Sequence, residues 1–494
     1  MSLKFRISFV ALAALIVSLS GAQAQKTKAV LDAEITTNFP DNNVGAITPS
    51  GLRNTNLDIV NSIMPTAPVV SGNLACFDGI TGLLKDCGAT LPLSLANGGL
   101  GGSQTAATAN QVPVFPGSGG AAVPTAITSL INTVCGLAPT TCASVFGYSN
   151  VKWWGATGNG STDDTAAMQA AHNTGQLVYY PPGTYSFTTL SFSAGGITGA
   201  GPKSFLVSND TSSSNLITYT GNGSQANVPL FTHFFLQGTF TKTLGAGIGF
   251  SPGATDLVGP IIDGVTFFAI PISVDLLNCE AYSITNSQLT GYRTAGVRVT
   301  NTNNVDAGDG QISGNYINTG TGLGAGVLWQ SGGGVKFYGN KVNGGAIGFQ
   351  GASNFTGATG DLNIHGNSIE NVGTAGISLG RASGTGTYGG VNIVGNQIAI
   401  TPAPIVIDSS GALVQLAISG NMLATNGANS TVGINIGTAT IFSIVGNTLL
   451  SNGGTTTTGI VTGAGSSNAK IGGNQIQNFS TAQTIGGTNM STTF

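Results

Sequence analysis

The sequence predicts an all-β fold, a parallel β-helix in which one chain winds through about 10 or more stacked coils. The first observation is a phrase of the form apolar-x-Gly-Asn-x-apolar, which occurs seven times between residues 312 and 476. Its asparagines recur every 25 to 29 residues, a period typical of solenoids. They are Asn315, Asn340, Asn367, Asn396, Asn421, Asn447 and Asn474.

The second observation is an apolar alternation that follows most of these phrases, for example at residues 297–299 and 377–379. Alternation with β-branched residues between Gly, Asn, Ser and Thr indicates strands. One repeat holds at least two short strands, which are too few to bury a core alone. The coils are therefore expected to stack, with isoleucine above isoleucine in the interior.

The Gly-Asn pair suits a tight corner between two strands. Both residues tolerate a positive φ, and the amide of a buried asparagine can bond to the coil above and below. The seven asparagines are therefore predicted to form a structural ladder along the solenoid.

Composition agrees with a solenoid and limits the partners. The 494 residues include 77 Gly, and only 7% are charged. The net charge of −3 provides no basic surface, so nucleic acid is not an expected partner. With three His and no Cys-x-x-Cys pair, we expect neither a metal site nor a cofactor.

Residues 1–24 have the pattern of a secretory signal peptide. Lys4 and Arg6 precede an apolar stretch over residues 7–20, and Ala-Gln-Ala at 22–24 is typical of a cleavage site. About 14 apolar residues are too few for a membrane span, which needs roughly 20. The protein is expected to be secreted or on the cell surface without a membrane span, and a location in a virion stays open.

The five cysteines fit an oxidising compartment. Cys76 and Cys87 flank a predicted hairpin, and Cys135 and Cys142 flank a short loop that contains proline. Two local disulfides are therefore predicted. The remaining Cys279 lies in an apolar strand and is expected to be buried.

The region before the repeats resembles viral fibre proteins. Within residues 25–65, NFPDNNVGAITPSGLRNTNLDIVNSI is similar to the N-terminal segment of phage tail-fibre and tailspike proteins. Residues 66–149 resemble the Gly-rich shaft repeats of such fibres, with a flexible Gly/Ala/Pro linker as the alternative for 97–125. This resemblance implies a homotrimer.

Residues 151–207 carry a second resemblance. VKWWGATGNGSTDDTAAMQAA, LVYYPPGTYSF and ITGAGPKSFLV are similar to the opening of the pectate-lyase-like right-handed β-helix superfamily, which includes rhamnogalacturonase/epimerase-like proteins and tailspikes. The resemblance implies a right-handed β-helix over 150–494, closed at its start by a capping helix. We expect Ser161 or Thr162 to cap this helix and Asp163 and Asp164 to lie in its first turn.

This resemblance brings no catalytic residues with it. Trp153 and Trp154 stand where the family usually has Asp-Phe, and Asn159 stands where it usually has Asp. The paired-Asp, Gly-His-Gly and Arg-x-Lys signatures of polygalacturonases are absent from the sequence. Candidate site residues must come from the register of the repeats.

Counting back six residues from the ladder asparagines gives Asp309 in one coil and Asp361 two coils later, with Gly334 between them. Two coil steps separate their Cα atoms by roughly 9.6 Å. This is close to the ~6.5–9.5 Å between the carboxyl groups of inverting glycosidases. Asp309, Asp361 and the nearby His365 are therefore the catalytic candidates; the alternative is that both aspartates only begin strands at polar corners.

Outward positions on the same strands supply candidates for substrate binding. They are Lys336, Tyr338 and Gln311, to which a clustering of charge on the middle coils adds Arg298. Tyr292 is a second residue that could stack on a sugar, and Trp329 is expected in the core.

The expected partner is a polysaccharide. One interpretation is an exported, tailspike-like protein that binds and cleaves it as a glycoside hydrolase or polysaccharide lyase. The other is a non-catalytic fibre or adhesin whose β-helix is a rigid shaft. The charge on the middle coils favours the first, and the missing family signatures favour the second.

Overall fold

The computed structural model describes residues 134–493 except 222–227, 254–255, 303–308, 353–357, 360, 381–386, 409–412, 427–430 and 454–456, together with four short strands nearer the N-terminus. The chain divides into two compact units, Met1–Leu130 and Ile131–Phe494. The second unit is a right-handed parallel β-helix of about 11 turns, which confirms the stacked coils predicted from the repeats and the hand implied by the resemblance. The predicted signal peptide (1–24) and the fibre-like segment (25–65) lie outside the described residues.

Each coil contributes one strand to a first sheet, called sheet 1, whose neighbours are parallel. Its strands are Tyr148–Asn150, Leu177–Tyr180, Gly196–Gly199, Leu230–Thr232, Ile261–Asp263, Ser283–Thr285, Gly310–Ser313, Val335–Tyr338, Leu362–His365, Thr387–Val394 with Ala358–Thr359 beside it, Leu413–Ser419, Phe442–Val445, Ser467–Gly472 and Thr488–Thr493.

The rest of a coil makes up to two strands of a second sheet, called sheet 2, before the chain returns to sheet 1. Its strands are Asn159–Asp163, Gly183–Phe187, Leu190–Phe192, Ser204–Ser208, Ile217–Tyr219, Phe235–Gln237, Ala246–Phe250, Thr266–Phe268, Ile272–Leu277, Gln288–Thr290, Ala295–Thr300, Tyr316–Trp329, Lys341–Ala352, Ser368–Glu370, Ala375–Gly380, Gln397–Thr401, Ala403–Asp408, Met422–Thr425, Thr431–Ile436, Thr448–Ser451, Thr457–Thr462, Gln475–Gln477 and Thr481–Ile485. Leu257–Val258 and Cys279–Glu280 form a separate parallel pair.

Large apolar side chains stacked in register fill the interior. Ile364, Ile393 and Ile418 are direct neighbours in sheet 1, and all three are fully buried. In each Gly-Asn phrase the apolar residue three positions before the ladder asparagine is fully buried in one interior column, as at Phe337 and Ile444. This confirms the stacking expected from the repeats.

The asparagine ladder runs along the corner after sheet 1. In a typical step, Asn396 Oδ1 accepts from the backbone N–H and the Nδ2 of Asn367, and Asn396 Nδ2 donates to the carbonyl of Ile364. The preceding glycine has a positive φ in each of these coils, for example 65° at Gly395. All seven predicted asparagines take part in this arrangement, from Asn315 to Asn474.

Helices lie only at the N-terminal end of the described part of the solenoid. The α-helices are Pro139–Phe146 (α1) and Thr165–His172 (α2), residues 134–137 are also helical, and Val151–Trp154 and Gly201–Lys203 are 3₁₀ turns. One detail of the capping helix was predicted wrongly, because α2 begins after both aspartates and Ser161 and Thr162 lie in the preceding strand. Asp164 is the residue at its N-cap.

The helix α2 begins later than predicted because the carboxylate of Asp164 binds a tight turn upstream of it. This side chain is buried and accepts from the backbone N–H groups of Thr157 and Gly158, at 2.6 and 2.9 Å. It therefore stabilises the turn at the entrance of the solenoid and makes no side-chain cap on α2. A structural role for the Asp163-Asp164 pair was expected, but through a different contact.

Cys135 and Cys142 form a disulfide that brackets the start of α1. Cys279 is free and buried, and burial raises the pKa of its thiol well above the ordinary value. Cys76 and Cys87 belong to antiparallel strands, Asn73–Phe77 and Leu84–Thr90, whose side chains lie outside the described residues. A second antiparallel pair joins Gln111–Val114 to Val123–Ala126. In the described part of the chain, no helix has the length and apolarity to cross a membrane.

Candidate functional site

The candidate site is a strip on the outer face of sheet 1, defined by Gln311, Lys336, Tyr338, Asn363 and His365. Gln311 pairs with Lys336, and Lys336 with Asn363, in consecutive coils. Tyr338 is opposite His365 in the neighbouring column. The register that the repeats predict therefore brings these side chains together on one face; we call this set the outer strip.

Asp309 and Asp361 lie at the edge of the outer strip, each one residue before a strand of sheet 1. Gly334 separates them: a β-carbon on Gly334 would be 2.8 Å from Asp309 Oδ1 and 2.9 Å from the carbonyl oxygen of Asp361. Both carboxyl groups are exposed. Asp361 Oδ1 accepts from the N–H of Gly390, in the coil beyond, at 3.1 Å.

The two carboxylates therefore do not converge. Asp309 leans towards Gly334 and Asp361 leans towards Gly390, which is the same direction along the axis. Their separation stays close to two coil steps, roughly 9.6 Å. A glycine follows each aspartate in the next coil, so the space beside each carboxylate is free of a side chain.

The rest of the outer strip is a small hydrogen-bonded group. The rings of Tyr338 and His365 stack with centroids 5.0 Å apart and an interplanar angle of 2°. The Tyr338 hydroxyl donates to Gln311 Oε1 at 3.2 Å, and Asn392 Nδ2 donates to Asn363 Oδ1 at 3.1 Å. Such contacts fix the ring of Tyr338, while His365 and Lys336 remain exposed.

Three other residues singled out in the sequence lie elsewhere. Arg298 is in sheet 2, where it makes a two-pronged ion pair with Asp275 at 2.8 and 2.6 Å. These hydrogen bonds raise the pKa of Arg298, against a smaller opposing effect of burial. Tyr292 is fully buried and cannot stack on a ligand, and Trp329 is buried as expected. The structure thus does not bring Arg298 or Tyr292 to the outer strip.

A cavity of about 360 Å³ lies at the N-terminal end, between the end of α2 and the strand Leu190–Phe192. His172 lines it, stacks on Phe192 at 3.9 Å, and has Nε2 3.0 Å from the hydroxyl of Tyr180. Burial lowers the pKa of His172 to about 3, so its ring is neutral. These contacts hold the cap on the first coils.

Two further residues, one in sheet 1 and one directly after a strand of it, lie on this part of the surface and were not among the predicted site residues. Asp263 occupies the column of Tyr338, three coils earlier, and His233 follows the strand before it. The signal was present in IDGVTF, an upstream phrase in which Asp263 takes an outward position. Among the described residues, no group of three His, Cys, Asp or Glu side chains is arranged to hold a metal ion.

Neither a protein-family model nor a curated protein sequence matches this chain. Several solved protein structures do match it. The A-modules of the Azotobacter vinelandii mannuronan C-5 epimerases AlgE6 and AlgE4 match at TM-scores of 0.53 and 0.52, each with 17% identity and covering 99% of the module and 70% and 69% of this chain. Bacteriophage CBA120 tailspike protein 3 matches at 0.45, with 12% identity over 88% of this chain and 77% of that one. At these identities the likeness is one of fold, and it is the two epimerase modules that share the right-handed β-helix of this chain.

Proposed function

We propose that this protein binds a polysaccharide along the outer strip of sheet 1. The observation that carries the proposal is the stacked pair of Tyr338 and His365 beside Lys336 and two amide side chains. Sugars are bound by aromatic faces together with hydrogen-bonding groups at fixed positions. The outer strip supplies both on a rigid sheet, where little side-chain freedom is left to lose on binding.

Cleavage of the bound chain is the first of two candidate activities. In an inverting reaction one carboxyl group would protonate the glycosidic oxygen while the other activates water on the opposite face of the sugar. The separation of Asp309 and Asp361, roughly 9.6 Å and so at the upper end of the inverting range, supports this assignment, and His365 is a further group that could carry a proton. Either aspartate could take either role.

A non-catalytic adhesin is the second candidate, favoured by the exposure of both carboxyl groups. A general acid that works near neutral pH is usually shielded from water, because burial raises the pKa of a carboxyl group and so keeps it protonated. Asp309 and Asp361 would then hydrogen-bond sugar hydroxyls without transferring protons. Carbohydrate binding is common to both candidates.

We also propose that the protein is exported and that it assembles as a homotrimer. The signal-like residues 1–24 support secretion or display at the cell surface, with a virion as the other location. The fibre-like segment 25–65 suggests a homotrimer, which light scattering on the full chain would test directly. A stable monomer at micromolar concentration would exclude that stoichiometry.

Binding should be measured by calorimetry with mannuronan, the polymer for which the two epimerase modules are named, and with an uncharged α-1,3-glucan. We expect Tyr338→Ala and Lys336→Ala to weaken binding of the preferred polymer by about tenfold or more, since each removes a direct contact. Tyr316→Ala is the matched control, because this exposed tyrosine lies in sheet 2. Unchanged affinity in both strip variants would refute the site.

Catalysis is tested separately on the same polymers, by release of reducing ends and by absorbance of unsaturated uronates. Asp309→Asn and Asp361→Asn should each abolish cleavage while binding persists, if the pair is catalytic. Cleavage that survives in both variants would remove the two aspartates from the reaction. Binding without any cleavage by the wild type would favour the adhesin.

A further inference from the structure

A histidine takes the place of glycine at one corner of the solenoid. In this coil and in those that follow, the residue after the sheet 1 strand donates its N–H to a carbonyl of the next coil: His233 to Asp263, Gly264 to Thr285, and Gly314 to Tyr338. From Gly314 onward this corner residue is a glycine with φ between 63° and 66°. His233 adopts the same left-handed conformation, at φ 58°.

A left-handed residue with a side chain costs about 1–2 kcal/mol relative to glycine. Such a conformation persists when another interaction offsets it, and it is found often at functional sites. The ring of His233 lies across the next corner, because a β-carbon on Gly264 would be 3.2 Å from its Cδ2 and 3.4 Å from its Nε2. The imidazole is exposed, and within the described residues neither ring nitrogen has a hydrogen bond.

The carboxylate of Asp263 lies on the same part of the surface and is fixed through one oxygen. Its Oδ1 accepts from Thr285 Oγ1 at 2.6 Å and from Asn286 Nδ2 at 2.8 Å. Asn286 also adopts a left-handed φ, of 50°, at the corner position. In the described part of the chain, Oδ2 of Asp263 receives no hydrogen bond.

The bond from Thr285 is the main reason that the pKa of Asp263 is lowered. Burial opposes the shift, and the bond from Asn286 and the nearby imidazole add to it. The corner therefore holds an oriented carboxylate with one oxygen available and an imidazole with both nitrogens available.

We propose that His233, Asp263 and Asn286 form a subsite that binds two neighbouring hydroxyl groups of a sugar ring. Asp263 Oδ2 accepts a hydrogen bond from one hydroxyl, and a ring nitrogen of His233 bonds to the adjacent one. Asn286 holds the carboxylate in place, so it is a positioning residue. Because the carboxylate is oriented before the ligand arrives, little of its freedom is lost on binding.

The subsite rests on the proposed function and indicates how long the bound glycan must be. Asp263, Thr285, Ser313 and Tyr338 follow one another in a single column of sheet 1. Three coil steps place Asp263 roughly 14 Å from Tyr338 along the axis. A glycan that contacts both must be an extended chain of several sugars that lies along the solenoid.

The sharpest test is His233→Gly, which introduces the residue that most other coils have at this corner. Left-handed strain is relieved, so the thermal midpoint should stay the same or rise. Affinity for octasaccharides of mannuronan and of α-1,3-glucan would be measured by calorimetry, with the disaccharides as short probes. For the polymer that the wild type prefers, we expect about a tenfold loss with the octasaccharide and less than about a twofold change with the disaccharide.

Asp263→Asn is the second variant, since its amide oxygen can still accept from Thr285 and Asn286 and the corner should stay folded. It should show the same loss, limited to the long chain. Tyr316→Ala, the exposed change in sheet 2, is again the control. The subsite is refuted if both variants bind the octasaccharide as the wild type does while Lys336→Ala is weakened, which would leave the proposed function intact. Failure of the wild type to bind either polymer would overturn both proposals.

Discussion

Replacing Asn396 with alanine tests the ladder at its centre. The side chain of Asn396 makes four hydrogen bonds, and all of them are buried. Oδ1 accepts from the backbone N–H and from Nδ2 of Asn367, at 3.1 and 2.9 Å. Nδ2 donates to the carbonyl of Ile364 and to Oδ1 of Asn421, at 2.9 and 3.0 Å.

The magnitude follows from the groups left without partners. Asn367 Nδ2 keeps a bond to the carbonyl of Phe337, and Asn421 Oδ1 still accepts from the N–H of residue 396. Two backbone groups lose a partner, the N–H of Asn367 and the carbonyl of Ile364. Each such group costs about 1–3 kcal/mol, and a water molecule in the polar space left by the amide would recover part of it. We expect a net loss of about 3 kcal/mol.

A solenoid need not unfold in one step, so the loss is best measured locally. Native-state hydrogen exchange of the amide of Asn367 should accelerate by roughly 100-fold, the factor that about 3 kcal/mol corresponds to. The control is Asn392→Ala, which removes a single exposed amide contact and should change exchange and stability by less than about 0.5 kcal/mol. Equal exchange rates in the wild type and Asn396→Ala would refute the ladder as a source of stability.

Three further changes probe other parts of the fold. Asp164→Ala should destabilise the entrance of the solenoid by about 2–3 kcal/mol, because two backbone N–H groups lose their acceptor. Asp163→Ala, at an exposed site, is the control and should cost at most about 1 kcal/mol. Thermal melts of the two variants measure the difference. Gly334→Ala should cost about 1–3 kcal/mol, since its β-carbon would meet a backbone carbonyl at 2.9 Å, and a melt identical to that of the wild type would contradict this geometry. Reduction of the Cys135–Cys142 disulfide, which spans a sequence separation of 7, should loosen α1 by about 2.5 kcal/mol, seen as faster exchange of its amides relative to the oxidised protein.

Much of the fold could be predicted because its determinants are local and repeated. The Gly-Asn phrase specifies a strand, a left-handed corner and a buried amide in six residues, and each copy specifies the same local structure. The register of the outer strip follows from the same phrase, since Lys336 and Tyr338 stand four and two residues before Asn340. Counting from the ladder was therefore sufficient to bring Asp309 and Asp361 to one face.

The remaining features depend on contacts that the phrase does not encode. Arg298 belongs to a strand of sheet 2, and charge clustering along the sequence does not say which sheet a strand joins. Tyr292 lies at a bend, where alternation no longer distinguishes inside from outside. The start of α2 depends on Asp164 reaching back to residues 157 and 158, a contact that helix-capping rules do not consider. His233 was missed because its corner in the sequence does not contain the glycine that marks the others.

The ladder and the outer strip are parts of one construction. Tyr338 and His365 each stand two residues before a ladder asparagine, so the hydrogen bonds that join Asn340 to Asn367 also fix the coil spacing at which the two rings stack. A solenoid with few charges cannot rely on ion pairs to hold exposed groups in place, and an open sheet face offers no cavity walls to do so. Here a buried column of amides positions an exposed column of functional groups, two residues away along the chain. This explains how the proposed binding surface can lie on an open face and still be rigid.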